Sequence, residues 1–279
     1  MTFLRLLKKN YIAISGIAIV VLYIFMIIIG LFWLPYNPLE MSAAEVLRSP
    51  SFKTHHLLGT DEFGRDILSR IMYGSRISLI ISLGATLIGA ALGITMGTWA
   101  GFLGGKWDNW IMRIADVLFS FPTLLLAIFI MGVLGEKTYN VIIAIGIVYT
   151  PQFARISRAA ILAIKNLDFV RAAFSVGGKK GYILFKHLFP NILVPIIVQI
   201  SLCLSLGILL ESALSFLGLG VQSPYPSWGN MLSSARRFMI LAPWTAVFPG
   251  LAIVFLVLGF NLLGDGLRDL LDPRLKNVK

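Results

Sequence analysis

Cysteine is almost missing from this sequence. Cys203 is the only one, so neither an intrachain disulfide nor a multi-cysteine metal site can be built within it. Charge is scarce as well. Asp, Glu, Lys and Arg make up 13% of the residues, against ~25% in soluble domains. Histidine occurs at positions 55, 56 and 187; the adjacent pair reads as exposed loop histidines rather than metal ligands. No H-E-x-x-H and no strand-following G-x-G-x-x-G occurs. The stretch GFLGGKWD fails as a P-loop, because three residues rather than four separate Gly101 from Gly105 and Trp107 follows Lys106. These absences exclude an ATP site of the chain's own and leave no catalytic group set in view. The net charge of +11 is read as a matter of membrane sidedness rather than of nucleic-acid binding.

What the chain has instead is long apolar runs. Hydrophobic residues make up 57% of it. Charge-free runs cover 10–39, 77–105, 117–135, 138–154, 188–210 and 238–264, each at or near the ~20 residues that span a bilayer. The sequence therefore predicts an all-α, polytopic membrane protein with about six transmembrane helices. The fourth run is short and has to borrow residues beyond Arg155, whose stem can snorkel. The first run follows a basic start, MTFLRLLKKN, but is longer than a signal-peptide core and closes on no A-x-A pattern, which favours a retained helix. Six spans put both termini on one side. If that side is cytoplasmic, segments 1–10, 102–113, 151–190 and 266–279 hold 16 of the 24 Lys and Arg, in line with the positive-inside rule.

Between the first two spans, prolines 35, 38 and 50 break regular structure. Within TDEFGRDILSRI, Thr60 or Asp61 is a candidate N-cap for a short interfacial helix leading into the second span. The expected division is thus 1–75, a helix plus external segment, and 76–279, the main transmembrane domain with a loop at 165–190. The second span carries Gly89, Gly93, Gly97, Gly101 and Gly105. A four-residue spacing stacks them on one helix face, where another backbone can approach closely; helix packing is favoured over a ligand site. Glu211 is the only acidic residue between Asp168 and Asp265. It reads either as a functional intramembrane acid or as a group bonded to a neighbouring helix or placed in water near the outer end. The following SALSFLGLGVQSPYPSWGNML reads as an external re-entrant or surface element, tolerable only under cover of protein or water.

The most basic loop contains VRAAFSVGGKKGYILFKHLFPN. Asp168 is a plausible N-cap, Ala172, Ala173 and Ser175 keep the helix slim, and Gly177–Gly178 ends it. Pro190 fits the first turn of the next span. A slim helix surrounded by Phe169, Val170, Phe174 and Val176 suits insertion into a groove on another protein.

The spacing A-A-x3-G-x9-H-x-F-P, filled by Ala172, Ala173, Gly177, His187, Phe189 and Pro190, resembles the EAA loop of importer permeases of the ATP-binding-cassette class. LGTDEFGRDILSRIMYGSRISL, ESALSFLGLGVQSPYPSWGNML and GDGLRDLLDPRL resemble the C-type permease of the dipeptide/oligopeptide/nickel family, and the likeness covers nearly the whole chain. One position departs: Arg171 stands where the wider class usually has Glu, so a salt bridge made by that Glu is not carried over.

The resemblance implies a type I importer (MetI-like) permease fold in a bacterial or archaeal cytoplasmic membrane. It implies a homologous second permease, two cytoplasmic ATPase subunits that bind ATP and Mg and receive the coupling loop, and an extracytoplasmic solute-binding protein. The chain itself would hold no cofactor and be no enzyme. Short peptides are the expected cargo. Nickel, a metal chelate or a glutathione-like substrate is the alternative, with a stand-alone channel or secondary carrier behind it.

Overall fold

A computed structural model describes residues 10–53 and 55–271. Helices account for nearly all of its regular structure; among the described residues the only β-type pairing is one isolated bridge between Thr60 and Asp66. Helix α1 spans Tyr11–Phe32 and is capped by Asn10, whose side chain accepts from the Ala13 N–H. Helix α2 spans Ile67–Leu103, α3 Gly105–Phe119, α4 Thr123–Leu134 and α5 Thr138–Ile164. The short α6 covers Asp168–Ser175. A continuous helical rod, α7, runs Lys180–Phe216; it is π-helical over Ile183–Leu188, 3-10 over Phe189–Ile192 and α-helical from Leu193. Helices α8, Trp228–Ala235, and α9, Trp244–Leu271, complete it.

Four helices, α1, α2, α7 and α9, are long and apolar enough to cross a membrane, and the bent pair α3–α4 makes a fifth. Helix α5 has the length, 27 residues, but Asn140, Gln152, Arg155 and Arg158 dilute its apolar character. The expected six are reached only by counting both. The third run is corrected: 117–135 is not one helix. Ser120–Pro122 breaks it, and α3 and α4 meet at 91°. Pro122 has no N–H to give, and proline disfavours helical backbone in the residue before it. The 12 residues of α4 reach about 18 Å, short of a ~30 Å hydrocarbon core.

Two further expectations change. No separate interfacial helix forms at residues 60–71. That segment is a tight turn, and the helix starts at Ile67 under an Asp66 cap, with the Asp66 carboxylate accepting from the Ser69 N–H at 2.8 Å. The helix then continues without a break across the expected division at 75/76. Nor are both adjacent histidines exposed: His56 is 2% exposed.

The glycine face explains the most intimate helix pair. A Cβ on Gly89 would lie 2.7 Å from the Tyr149 Cβ, and on Gly93 or Gly97 it would fall on the backbone of Thr150 or Ala154. Helix α5 thus lies directly against α2 along Gly89, Gly93, Gly97 and Gly101. Gly105 is not on this face; it follows the helix end with φ +56° and nothing near it. Two ion pairs tie α3 to α5. Arg158 donates twice to Asp108, at 2.5 and 2.7 Å, and Arg155 donates to Asp116 at 2.7 Å while covering the Phe119 ring. Arg155 is therefore paired to a carboxylate.

The helix ends fall into two sets. At one end, Asn10 bonds Asp269 at 3.4 Å, and the Lys165 ammonium donates to the Gly101 carbonyl at 2.9 Å. At the other, Tyr36 N–H donates to Ser69, the Trp244 indole to the Thr60 carbonyl, and the Trp228 indole to the Ile71 carbonyl. Asn10, Asp269 and the 165–190 loop share the first end; the segments that follow α1 and α7 share the second.

Candidate functional site

The loop at 165–190 forms a short amphipathic helix seated on one residue. Val170 is fully buried among Ile161 of α5 and Ile183, Leu184, Leu188, Ile192 and Ile196 of α7. Val170 was expected among the groups offered to another protein; it is instead the plug that fixes α6 to its own chain. The other face stays open: Phe169 and Phe174 are each 43% exposed and Val176 87%.

Asp168 is not the N-cap. Leu167 holds that position without a side-chain bond, and Asp168 is the acid of the first turn, where a carboxylate favours the positive helix end. Arg171 and Ala172 lie exposed, Ala173 half-buried. The Arg171 guanidinium has no hydrogen-bond or ionic partner among the described residues. Gly177 takes φ +80° and donates to the Phe174 carbonyl at 3.0 Å, a backbone that L side chains resist. Gly178 was underrated: a Cβ there would approach the Ala173 carbonyl to 2.7 Å, so this glycine lets the chain fold back onto α6. His187 stacks edge-on against Tyr182 at 5.7 Å, its carbonyl accepting from Asn191. Pro190 sits exposed in the 3-10 turn rather than in an α-helical first turn.

Glu211 lies at the opposite end of α7 and is 0% exposed, so it does not face water. Ser78 of α2 donates to it at 2.7 Å and Ser215 at 2.8 Å. Ser215 also accepts from the Val221 N–H at 3.1 Å. The carboxylate therefore ties α2, α7 and the turn after α7 together, as a buried acid must be satisfied by donors. The re-entrant element follows from the same junction. Ser227 and Asn230 form a reciprocal cap on α8. Trp228 is buried, its indole bonded to α2 and its ring edge-on to Tyr23 at 5.9 Å. Gly229 packs against the Ser212 carbonyl so closely that no Cβ fits.

Residues 89–277 match the family model described as "Binding-protein-dependent transport system inner membrane component". The chain belongs to this family. It is an inner-membrane permease component with the all-α, MetI-like architecture. Across 97% of its length it is 45% identical to the dipeptide transport system permease protein DppC of Alkalihalophilus pseudofirmus, covering 88% of that protein. It is 43% identical to the di/tripeptide transport system permease protein DppC of Pseudomonas aeruginosa, covering 95% of this chain and 89% of that one. It is 42% identical to the glutathione transport system permease protein GsiD of Pectobacterium atrosepticum, covering 98% and 90%. These relatives are permease components rather than enzymes in their own right.

Proposed function

We propose that this permease forms half of the membrane pathway of an ATP-driven importer of di- and oligopeptides. It pairs with a homologous second permease, takes cargo from an extracytoplasmic binding protein, and takes energy from two ATPase subunits that hold the ATP and Mg. The end carrying Asn10, Asp269 and α6 faces the cytoplasm, in keeping with the bias of Lys and Arg.

The observation that carries the reading is the open face of α6. Phe169, Phe174 and Val176 are exposed at the loop end of the molecule, and the Arg171 cation beside them has no partner among the described residues. A helix plugged on one side and apolar on the other fits a groove. Such a contact lets ATP state bias two arrangements of the permease. Arg171, in place of an acid, calls for a carboxylate or carbonyl oxygens in that groove.

The test is reconstitution of the four-subunit complex with its binding protein and labelled dipeptide. Phe174→Asp and Gly177→Glu are expected to leave the chain inserted, to lower ATPase co-purification and to cut ATP-dependent uptake at least about tenfold. That corresponds to roughly 1.4 kcal/mol of lost coupling. Wild-type uptake and co-purification in both would sink the docking role. A second reading, glutathione as cargo, is supported by the glutathione-permease relative; glutathione and nickel as competitors in the same assay separate the cargos.

A further inference from the structure

Halfway along the molecule, α4, α5 and α7 leave a cavity of about 310 Å³, at the lower end of small-molecule sites. Leu206, Leu209 and Leu210 of α7 supply an apolar wall, and Thr123, Tyr149 and Gln152 supply its polar groups. None of the lining residues carries a charge.

The polar groups are not arranged for a closed interior. The Tyr149 side chain is enclosed and its hydroxyl has no hydrogen-bond partner among the described residues. The Gln152 oxygen is already taken, accepting from the Gln199 amide at 3.1 Å, which also reaches Cys203 Sγ at 3.3 Å. The Gln152 NH2 itself has no protein hydrogen-bond partner among the described residues. The cavity therefore offers two donors free of protein partners, the Gln152 amide and the Tyr149 hydroxyl, while acceptor capacity is left to the Thr123 and Tyr149 hydroxyl oxygens. A buried donor without a partner costs about 1–3 kcal/mol. A lipid chain or an apolar neighbouring helix filling this space would leave that cost in place. An occupant that brings oxygen acceptors removes it.

We infer that the cavity between α4, α5 and α7 is where this subunit contacts the transported peptide, with Gln152 and Tyr149 donating to its backbone carbonyls. The inference rests on the peptide-import reading above. Carbonyl oxygens recur at every residue of a peptide whatever its side chains. A site with donors and no charged lining residue therefore grips the backbone and pairs with no side-chain charge of its cargo. Tyr149 also lies against Gly89 on the tight α2–α5 seam, so its ring is held by the packed core, and its hydroxyl becomes available when α4 or α7 shifts.

The experiment uses the complete complex in proteoliposomes with radiolabelled dialanine. A photoreactive phenylalanine analogue replaces Leu209, at the cavity, or Leu83, a comparably exposed position on α2 outside it. Labelling is expected at position 209, raised by ATP and binding protein, and not at 83. Gln152→Leu is expected to lower uptake ~5–10-fold, the worth of one hydrogen bond, with unchanged complex yield and the same proportional loss for lysine- and glutamate-containing dipeptides. Gln152→Asn retains part of the uptake. Dialanine uptake without labelling at 209, or with wild-type rates in Gln152→Leu, overturns this inference alone. Failure of the unmodified complex to take up any dipeptide overturns the peptide reading and this inference with it.

Discussion

Both ring nitrogens of His56 lie 2.9 Å from a carboxylate oxygen, Nδ1 from Asp66 and Nε2 from Glu45, and the ring stacks on Tyr36 at 4.5 Å. A carboxylate only accepts, so both contacts are hydrogen bonds only when the ring carries two protons. Burial alone would lower the His56 pKa, but the bonds to Asp66 and Glu45 and their charges together raise it above the ordinary 6.5. A raised folded-state pKa contributes stability that is fully present below 6.5 and is lost as pH rises through the folded value. The same Asp66 caps α2, Glu45 also pairs with Arg48 at 3.5 Å, and nearby Arg65 is held by Asp61 at 2.7 Å. The segment around residues 43–66 should thus hold tightest at mildly acidic pH and loosen in alkali. The check is the difference in unfolding midpoint between the wild type and His56→Gln across pH 5.5 to 9. It should shrink as pH rises, and a constant difference would show that the ring's charge plays no part.

At the scale of elements, the α2–α5 seam depends on the absence of side chains. Gly97→Leu would drive a side chain into the Ala154 backbone. Overpacking of this kind costs about 1–3 kcal/mol, or more where backbone must move. Gly132 on α4 has nothing within 4 Å of an added Cβ, so Gly132→Ala is the matched control for the isolated chain. Thermal stability in detergent should fall sharply for the first and barely for the second; equal stability would mean the helices are not in contact along this face. This seam was legible because a four-residue spacing is local information. The break between α3 and α4 was only half legible. Pro122 was visible, yet the charge-free run around it read as one span, since hydropathy averages over a turn it cannot see. Asp66 as a cap was hidden by the earlier and equally suitable Thr60 and Asp61. The choice among them is made by contacts with residues 42–48 and with Trp244, far away in sequence.

For the whole molecule, the pairing of ends gives a topology that can be tested. Cys203 is buried, so the natural chain is a quiet background for single introduced cysteines. Cysteine at Val176 should react with an impermeant maleimide only from the cytoplasmic side, and cysteine at Phe52 or Tyr225 only from outside. The reverse pattern would invert the orientation proposed above. The two-ended arrangement was readable from runs and charges. The internal fixtures were not: His56 passed for a loop histidine and Val170 for a docking residue, and Gln152 and Gln199 gave no signal at all. For Val170 and for Gln152 with Gln199 the deciding partners lie on another helix, and for His56 on either side of its own loop, at Glu45 and Asp66; no local pattern announces them.

Val170 sits at a mechanical fulcrum. It shares one buried cluster with Ile161 near the end of α5 and with Ile183, Ile192 and Ile196 at the start of α7. Farther along, those same two helices carry Gln152 and Gln199. Close-packed side chains transmit displacement because they leave no slack to absorb it. On the docking proposed above, a displacement of α6 would be passed to the ends of both helices. The expected output is a change in the angle between α5 and α7, two of the cavity's walls. Trimming that one plug, as in Val170→Ala, should then loosen the joint, so that ATP hydrolysis continues while uptake per ATP falls.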